Sequence, residues 1–300
     1  MHALWMVLAT FLFATMGVCV KFASAHFTAA EMVFYRGLIG MAFLGLLAWR
    51  QGVSLATRYP GMHAWRSIVG VGALGAWFYA LGKLPLATAM TLNYMSSVWI
   101  GVFVVAGALL SWRPRPGQAR PPLHGGLLLA IMLGFVGVVL MLRPSFASQQ
   151  SFAALVGLIS GMLAALAYMQ VVVLARIGEP ETRVVFYFAA GSAGAGALVM
   201  LASDVHTLLT PAAWWLLPIG LLAALGQMCM THAYSTAASA RNTLVVASLQ
   251  YSGILFASLY SVLLFEQERI GLWGWVGVAL IVLGGLLATV LRARSAKPAG

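Results

Sequence analysis

This chain has almost no acid in it: 6 Asp and Glu among 300 residues, and only 8% charged residues of any kind. A soluble domain carries about a quarter charged residues, so a water-facing surface of ordinary extent is excluded. Cysteine is nearly missing too. Cys19 and Cys229 have no neighbouring Cys or His at metal-ligand spacing, and both read as small buried apolar side chains. The six histidines, His2, His26, His63, His124, His206 and His232, are scattered and form no H-E-x-x-H pattern. A Walker A pattern is absent as well, which removes P-loop nucleotide hydrolysis as a power source. The net charge of +11 is spread along the chain rather than gathered on one face, so it supplies no route to a phosphate backbone and no nucleic-acid partner is expected.

What remains is apolar. The chain is 62% hydrophobic, with a mean hydropathy of +0.95. Runs between polar punctuation give ten stretches, 3–23, 30–49, 65–82, 88–110, 124–142, 153–175, 183–203, 213–234, 243–264 and 271–291. A helix needs about 20 apolar residues to cross a bilayer, so the reading is an all-α integral membrane protein of ten transmembrane helices. The links are short and hold turn formers, as in Arg113-Pro114-Arg115-Pro116-Gly117. The first run reads as a span rather than a cleaved leader, since no Lys or Arg precedes it. The third run carries Gly70, Gly72, Gly75 and Gly82. Those glycines fit either close helix packing or a shorter, bent helix.

Charge sets the orientation. With a cytoplasmic amino terminus, Arg50, Arg58, Arg66, Arg113, Arg115, Arg120, Arg176, Arg183, Arg241, Arg292, Arg294 and Lys297 fall on the cytoplasmic side, against Lys21, Lys83, Arg143 and Arg269 outside. The positive-inside rule then places both termini in the cytoplasm. Trp214, Trp215, Trp273 and Trp275 sit near helix starts and read as interface anchors.

The two halves echo each other. Phe34-Tyr35 returns as Phe186-Tyr187 after 152 residues, while Ala73-Leu74-Gly75 returns as Ala224-Leu225-Gly226, and Gly126, Gly134 and Arg143 as Gly277, Gly285 and Arg294, after 151. An odd number of spans per copy forces the copies to enter the membrane from opposite sides, so a 5+5 inverted-topology repeat is expected, split at 1–146 and 147–300.

These residues resemble the drug/metabolite transporter superfamily, in its ten-span branch of two EamA-type repeats. Phe34-Tyr35-Arg36 fits the second helix of that family, and Glu268-Arg269-Ile270 leading into Gly277 to Gly285 fits its last. Position 117, a glycine, lacks the matching acid, and Phe188 stands where an arginine would mirror Arg36. The resemblance implies export across a bacterial inner membrane by alternating access. The aromatic-rich interior is most similar to exporters of aromatic and other neutral amino acids. It implies no cofactor and no obligate protein partner beyond the lipid bilayer and a small-molecule substrate. Carriers of drugs, organic cations or other small metabolites share the architecture, and cation-π attraction suits a cationic cargo. A channel or an integral-membrane enzyme is the alternative of another class.

Polar side chains inside apolar runs mark a candidate cavity, because facing lipid is costly for them. The fourth run offers Asn93, Tyr94, Ser97 and Trp99; the eighth, Gln227 and Thr231 at i,i+4; the ninth, Gln250 and Tyr251. Tyr79 and Tyr168 are the aromatic residues expected to wall it. The competing reading is hydrogen bonding or packing between helices. Arg36 has three readings: snorkelling outward, an ion pair with another helix, or a substrate carboxylate. Lys21, Glu31 and Glu268 are candidate gating residues beside it. No acid lies in mid-span, which favours facilitated efflux over proton coupling; His232 is either a titrating group or a hydrogen-bonded core histidine.

Overall fold

The computed structural model describes residues 2–111, 148–203, 205–236, 249–265 and 271–295, with Val246 and scattered positions between 129 and 140. These residues form helices and turns. In chain order the helices are α1 (His2–Ala23), α2 (Ala29–Gln51), α3 (Pro60–Lys83), α4 (Leu86–Tyr94), α5 (Ser96–Ser111), α6 (Ser148–Arg176), α7 (Glu181–Met200), α8 (Leu216–Ser235), α9 (Ser252–Leu264) and α10 (Leu272–Ser295).

Local chemistry explains several of the boundaries. Thr28 and Glu31 close a capping box at the start of α2, each satisfying the other's backbone N–H. Gly52 ends the same helix at φ +65°, a conformation costly for any residue with a Cβ. Pro60 opens α3 at its first turn, where a missing N–H costs nothing.

Three boundaries differ from the sequence reading. The glycine-rich third helix is neither short nor broken: α3 runs unbroken for 24 residues and begins at Pro60 rather than at residue 65. The fourth run is split at Met95 into α4 and α5. The ninth is interrupted by a turn at Gln250 and Tyr251, with Val246 and Leu249 helical before it and α9 starting at Ser252 after it. Most of the fifth run lies outside the described residues, although its described positions are helical.

Among the described residues, five helices are long and apolar enough to cross a bilayer as they stand: α1, α2, α6, α7, and α8 with the 3-10 turn Pro211–Trp215 that leads into it. The outer surface is apolar, with Ile68, Leu198 and Leu255 each about 70% exposed. Water would not tolerate such a surface and lipid does. This is an all-α multi-pass membrane protein.

Helix packing joins the two halves. α2 packs on α7, α1 on α8, α3 on α6, α1 on α9 and α5 on α6. Exchange α1 with α6, α2 with α7, α3 with α8 and α5 with α9, as the repeat spacing pairs them, and this set of contacts maps onto itself. Small residues permit the closest approach. A Cβ at Gly37 would sit 2.4 Å from the backbone N of Ala193, and one at Gly196 would sit 2.7 Å from the backbone of Phe34.

Candidate functional site: two buried arginines in a central cavity

A cavity opens where these pairs meet. Its walls are Phe13 and Met16 of α1, Arg36 of α2, Arg66, Gly70, Ala73, Leu74 and Trp77 of α3, Asn93 and Tyr94 of α4, Ala164, Ala167 and Tyr168 of α6, Phe188 of α7 and Gln227 of α8. Its free volume of about 50 Å³ holds a few waters. A narrower void of about 10 Å³ continues between α2, α7 and α8, past Arg36, Phe188 and Gln227.

Arg36 and Arg66 dominate its chemistry. They are 4% and 2% exposed. Arg36 is the eighth residue of α2 and Arg66 the seventh of α3, so each guanidinium starts about 9–10 Å inside its helix. Both stack on one ring: the guanidinium carbon of Arg36 lies 4.9 Å from the centroid of Phe188, and that of Arg66 lies 4.0 Å from it. Their hydrogen-bond partners are neutral. Arg36 Nη1 donates to Ser192 Oγ at 3.2 Å, and Arg66 Nη2 reaches Gln227 Oε1 only at 3.4 Å. Arg36 Nε and Arg66 Nε and Nη1 have no partner. Gly70 leaves the room that Arg66 occupies, for a Cβ there would meet Arg66 Nη1 at 2.4 Å.

Of the residues singled out from sequence, Arg36, Asn93, Tyr94, Tyr168 and Gln227 are brought together here. Asn93 Nδ2 also donates to Ser160 Oγ at 3.2 Å, which fixes the amide against α6. The others lie elsewhere. Tyr79 packs edge-on against Phe152, at 6.0 Å between ring centres, Trp99 stacks on Phe103, and Gln250 donates to the Tyr234 hydroxyl at 2.9 Å. Ser97, Thr231 and Tyr251 are buried but do not line the cavity. Arg36 does not snorkel, and no carboxylate pairs with it among the described residues. Sequence reasoning missed Arg66, which it counted with the link charges, and Phe188, Phe13 and Met16.

The candidate gating and proton groups sit at the two ends of the bundle. Glu31 accepts the backbone N–H of His206 at 2.6 Å and meets its ring Nδ1 at 3.0 Å, and so pairs with neither Lys21 nor Arg36. Lys21 donates to the Leu84 carbonyl at 2.6 Å. Glu268 lies outside the described residues. At the opposite end, Arg183 donates from Nε and Nη2 to the Ser54 carbonyl at 2.8 and 2.6 Å. Glu179 collects Thr57, His63 and Arg183 there. Burial alone would raise the Glu179 pKa, but these hydrogen bonds and the Arg183 charge hold it below its ordinary value. His232 is not a core residue: it sits 40% exposed in the last turn of α8, bonded to Glu181 at 3.1 Å and edge-on to Trp5.

The two end ties occupy corresponding positions. Glu31 and Ser54 each return 152 residues later as Arg183 and His206. At one end an acid in the first turn of α2 holds a backbone N–H of the α7–α8 link; at the other a base in the first turn of α7 holds a backbone carbonyl of the α2–α3 link.

An apolar bundle with a polar cavity walled by both of its halves is the arrangement of a membrane carrier. The profile of the EamA-like transporter family matches residues 1–143. The pseudopaline exporter CntI of Pseudomonas aeruginosa is 34% identical over 285 residues, covering 95% of this chain and 92% of that protein. An uncharacterized transporter of Helicobacter pylori is 28% identical over 290 residues, covering 94% and 92%. A solved crystal structure shares the fold across 99% of each chain, with a TM-score of 0.66 and 19% identity. The chain belongs to the EamA-like transporter family of the drug/metabolite transporter superfamily, and it moves a small molecule across a membrane.

Proposed function

We propose that this protein exports a small polar metabolite from the cytoplasm across a bacterial inner membrane by alternating access. Its halves, about residues 1–146 and 147–300, act in this reading as inverted EamA-type repeats, with both termini cytoplasmic. The observation that carries the proposal is the cavity itself: Arg36, Arg66, Asn93 and Tyr94 come from the first half, and Tyr168, Phe188 and Gln227 from the second. The exchange symmetry of the helix contacts and the corresponding ties at the two ends support it, since swapping the roles of two similar halves opens one end while closing the other.

Pseudopaline, exported by the Pseudomonas relative, is the first solute to test. A neutral aromatic amino acid is the second reading, favoured by the rings of Phe13, Trp77, Tyr94, Tyr168 and Phe188. It is the weaker of the two, because among the described residues no carboxylate lines the cavity to receive an ammonium group. Proteoliposomes holding unlabelled solute decide the matter. Saturable counterflow of labelled pseudopaline or another polar metabolite is the expected result. Flux no greater than in protein-free liposomes across such a panel contradicts an exporter.

A further inference from the structure

We propose that the cavity takes a small organic dianion, whose carboxylate or phosphate oxygens engage Arg36 and Arg66 together. This names the substrate class of the site above, and so rests on the exporter reading.

Charge balance is the first argument. Removing an ion from water costs several kcal/mol in real proteins, and the cost is repaid only by a counter-charge and full hydrogen bonding. Here two cations are buried against one ring, their polar partners are one hydroxyl and one long amide contact, and among the described residues no carboxylate lines the cavity. Stacking on Phe188 offsets part of the cost through cation-π attraction. The rest stays uncompensated until an anion arrives.

Hydrogen-bond inventory points the same way. Arg36 Nε, Arg66 Nε, Arg66 Nη1, the Trp77 indole N–H and the Tyr94 hydroxyl all line the cavity without a partner. Four of these five groups can only donate. A ligand that completes them must be rich in acceptors, and the guanidinium fork matches carboxylate and phosphate oxygens in pairs. A monoanion neutralises one of the two guanidinium charges and leaves the other without a counter-charge. A cation meets two like charges and is excluded. The rings of Phe13, Trp77 and Tyr168 are left to receive the carbon skeleton.

The test uses purified full-length protein in detergent with succinate, glycerol 3-phosphate and pseudopaline, and with L-phenylalanine and tetraethylammonium as controls. At least one dianion is expected to raise the unfolding temperature with saturation, and the controls to leave it unmoved. Arg36→Gln and Arg66→Gln are each expected to weaken that binding by about 10- to 100-fold. Arg66→Lys, which keeps the charge without the fork, is expected to recover part of it. Without ligand, the double variant R36Q/R66Q is expected to unfold at or above the wild-type temperature, since it sheds two uncompensated charges; a purely structural pair of arginines requires the reverse. A response to succinate alone or to glycerol 3-phosphate alone assigns the oxygen chemistry. No response to any dianion, or an equal response in wild type and R36Q/R66Q, overturns the proposal. Saturable counterflow of tetraethylammonium or L-phenylalanine with none of the dianions also overturns it while leaving the exporter standing. Dianion binding with no counterflow of any solute does the opposite.

Discussion

Arg36 and Phe188 stand 152 residues apart, at matching positions of the two halves, and the fold puts one on top of the other. Because α2 and α7 are partners in the exchange, a phenylalanine rather than an arginine at the matching position of the second half sets a ring against the arginine of the first. A second charge at position 188 would have raised the burial cost; the ring lowers it. At the edge of the bundle the electrostatics are ordinary. Glu179 is held below its usual pKa of 4.5, so its contribution to stability is complete above that value and is lost as the pH falls through the lower folded-state value. Glu179→Gln is expected to lower the unfolding temperature near neutral pH by roughly 2–4 °C, the shift that about 1 kcal/mol gives in a large domain. That gap should close on acidification, as thermal scans from pH 7 downward would register; a gap constant with pH contradicts the assignment. Much of the site was legible at this scale, since Arg36, Asn93, Tyr168 and Gln227 are polar groups deep in apolar runs. Arg66 was not, because the apolar run was started at residue 65, and a charge one residue from an edge reads as a link. Pro60 carried the correction, as a proline at the first helical turn moves the start back and sets Arg66 nearly two turns inside.

Among the elements, α2 and α7 form the closest-packed pair joining the halves, and Gly37 is the tightest point. A methyl there would press on backbone atoms of Ala189 and Ala193 within 2.9 Å, which cannot swing aside as a side chain can. Gly37→Leu is expected to destabilise by at least 1–3 kcal/mol and to reduce folded protein in the membrane. Gly75 has nothing within 4 Å of its added Cβ. Gly75→Ala is therefore expected to be neutral or stabilising by about 0.5–1 kcal/mol. Equal effects of the two substitutions on folded yield would refute this account of the packing. The all-α multi-pass class and the approximate limits of the described spans followed from apolar run length, because lipid enforces a minimum span. The break at Met95 left no such trace. Neither Gly nor Pro marks it, and its setting is tertiary: Gly161 of α6 backs directly onto the carbonyls of Leu92 and Asn93, at 2.5 and 3.0 Å from its ideal Cβ.

Across the bundle, the described residues of the two halves are tied at both ends around the central cavity. Cutting the Glu31 tie should favour the form open at that end, and cutting the Arg183 tie the form open at the other, because each removes stabilising contacts from one closed gate only. Ala73 lines the cavity and is 5% exposed, and both native cysteines are buried. The decisive measurement is therefore labelling of Ala73→Cys, in a background with Cys19 and Cys229 replaced by alanine, by a membrane-impermeant thiol reagent applied to each face of sealed vesicles. Glu31→Ala should speed labelling from the face bearing Glu31 and slow it from the other, and Arg183→Ala should do the reverse. If both substitutions speed labelling from both faces, or if neither changes it, the cavity is not alternately exposed and the carrier account is wrong.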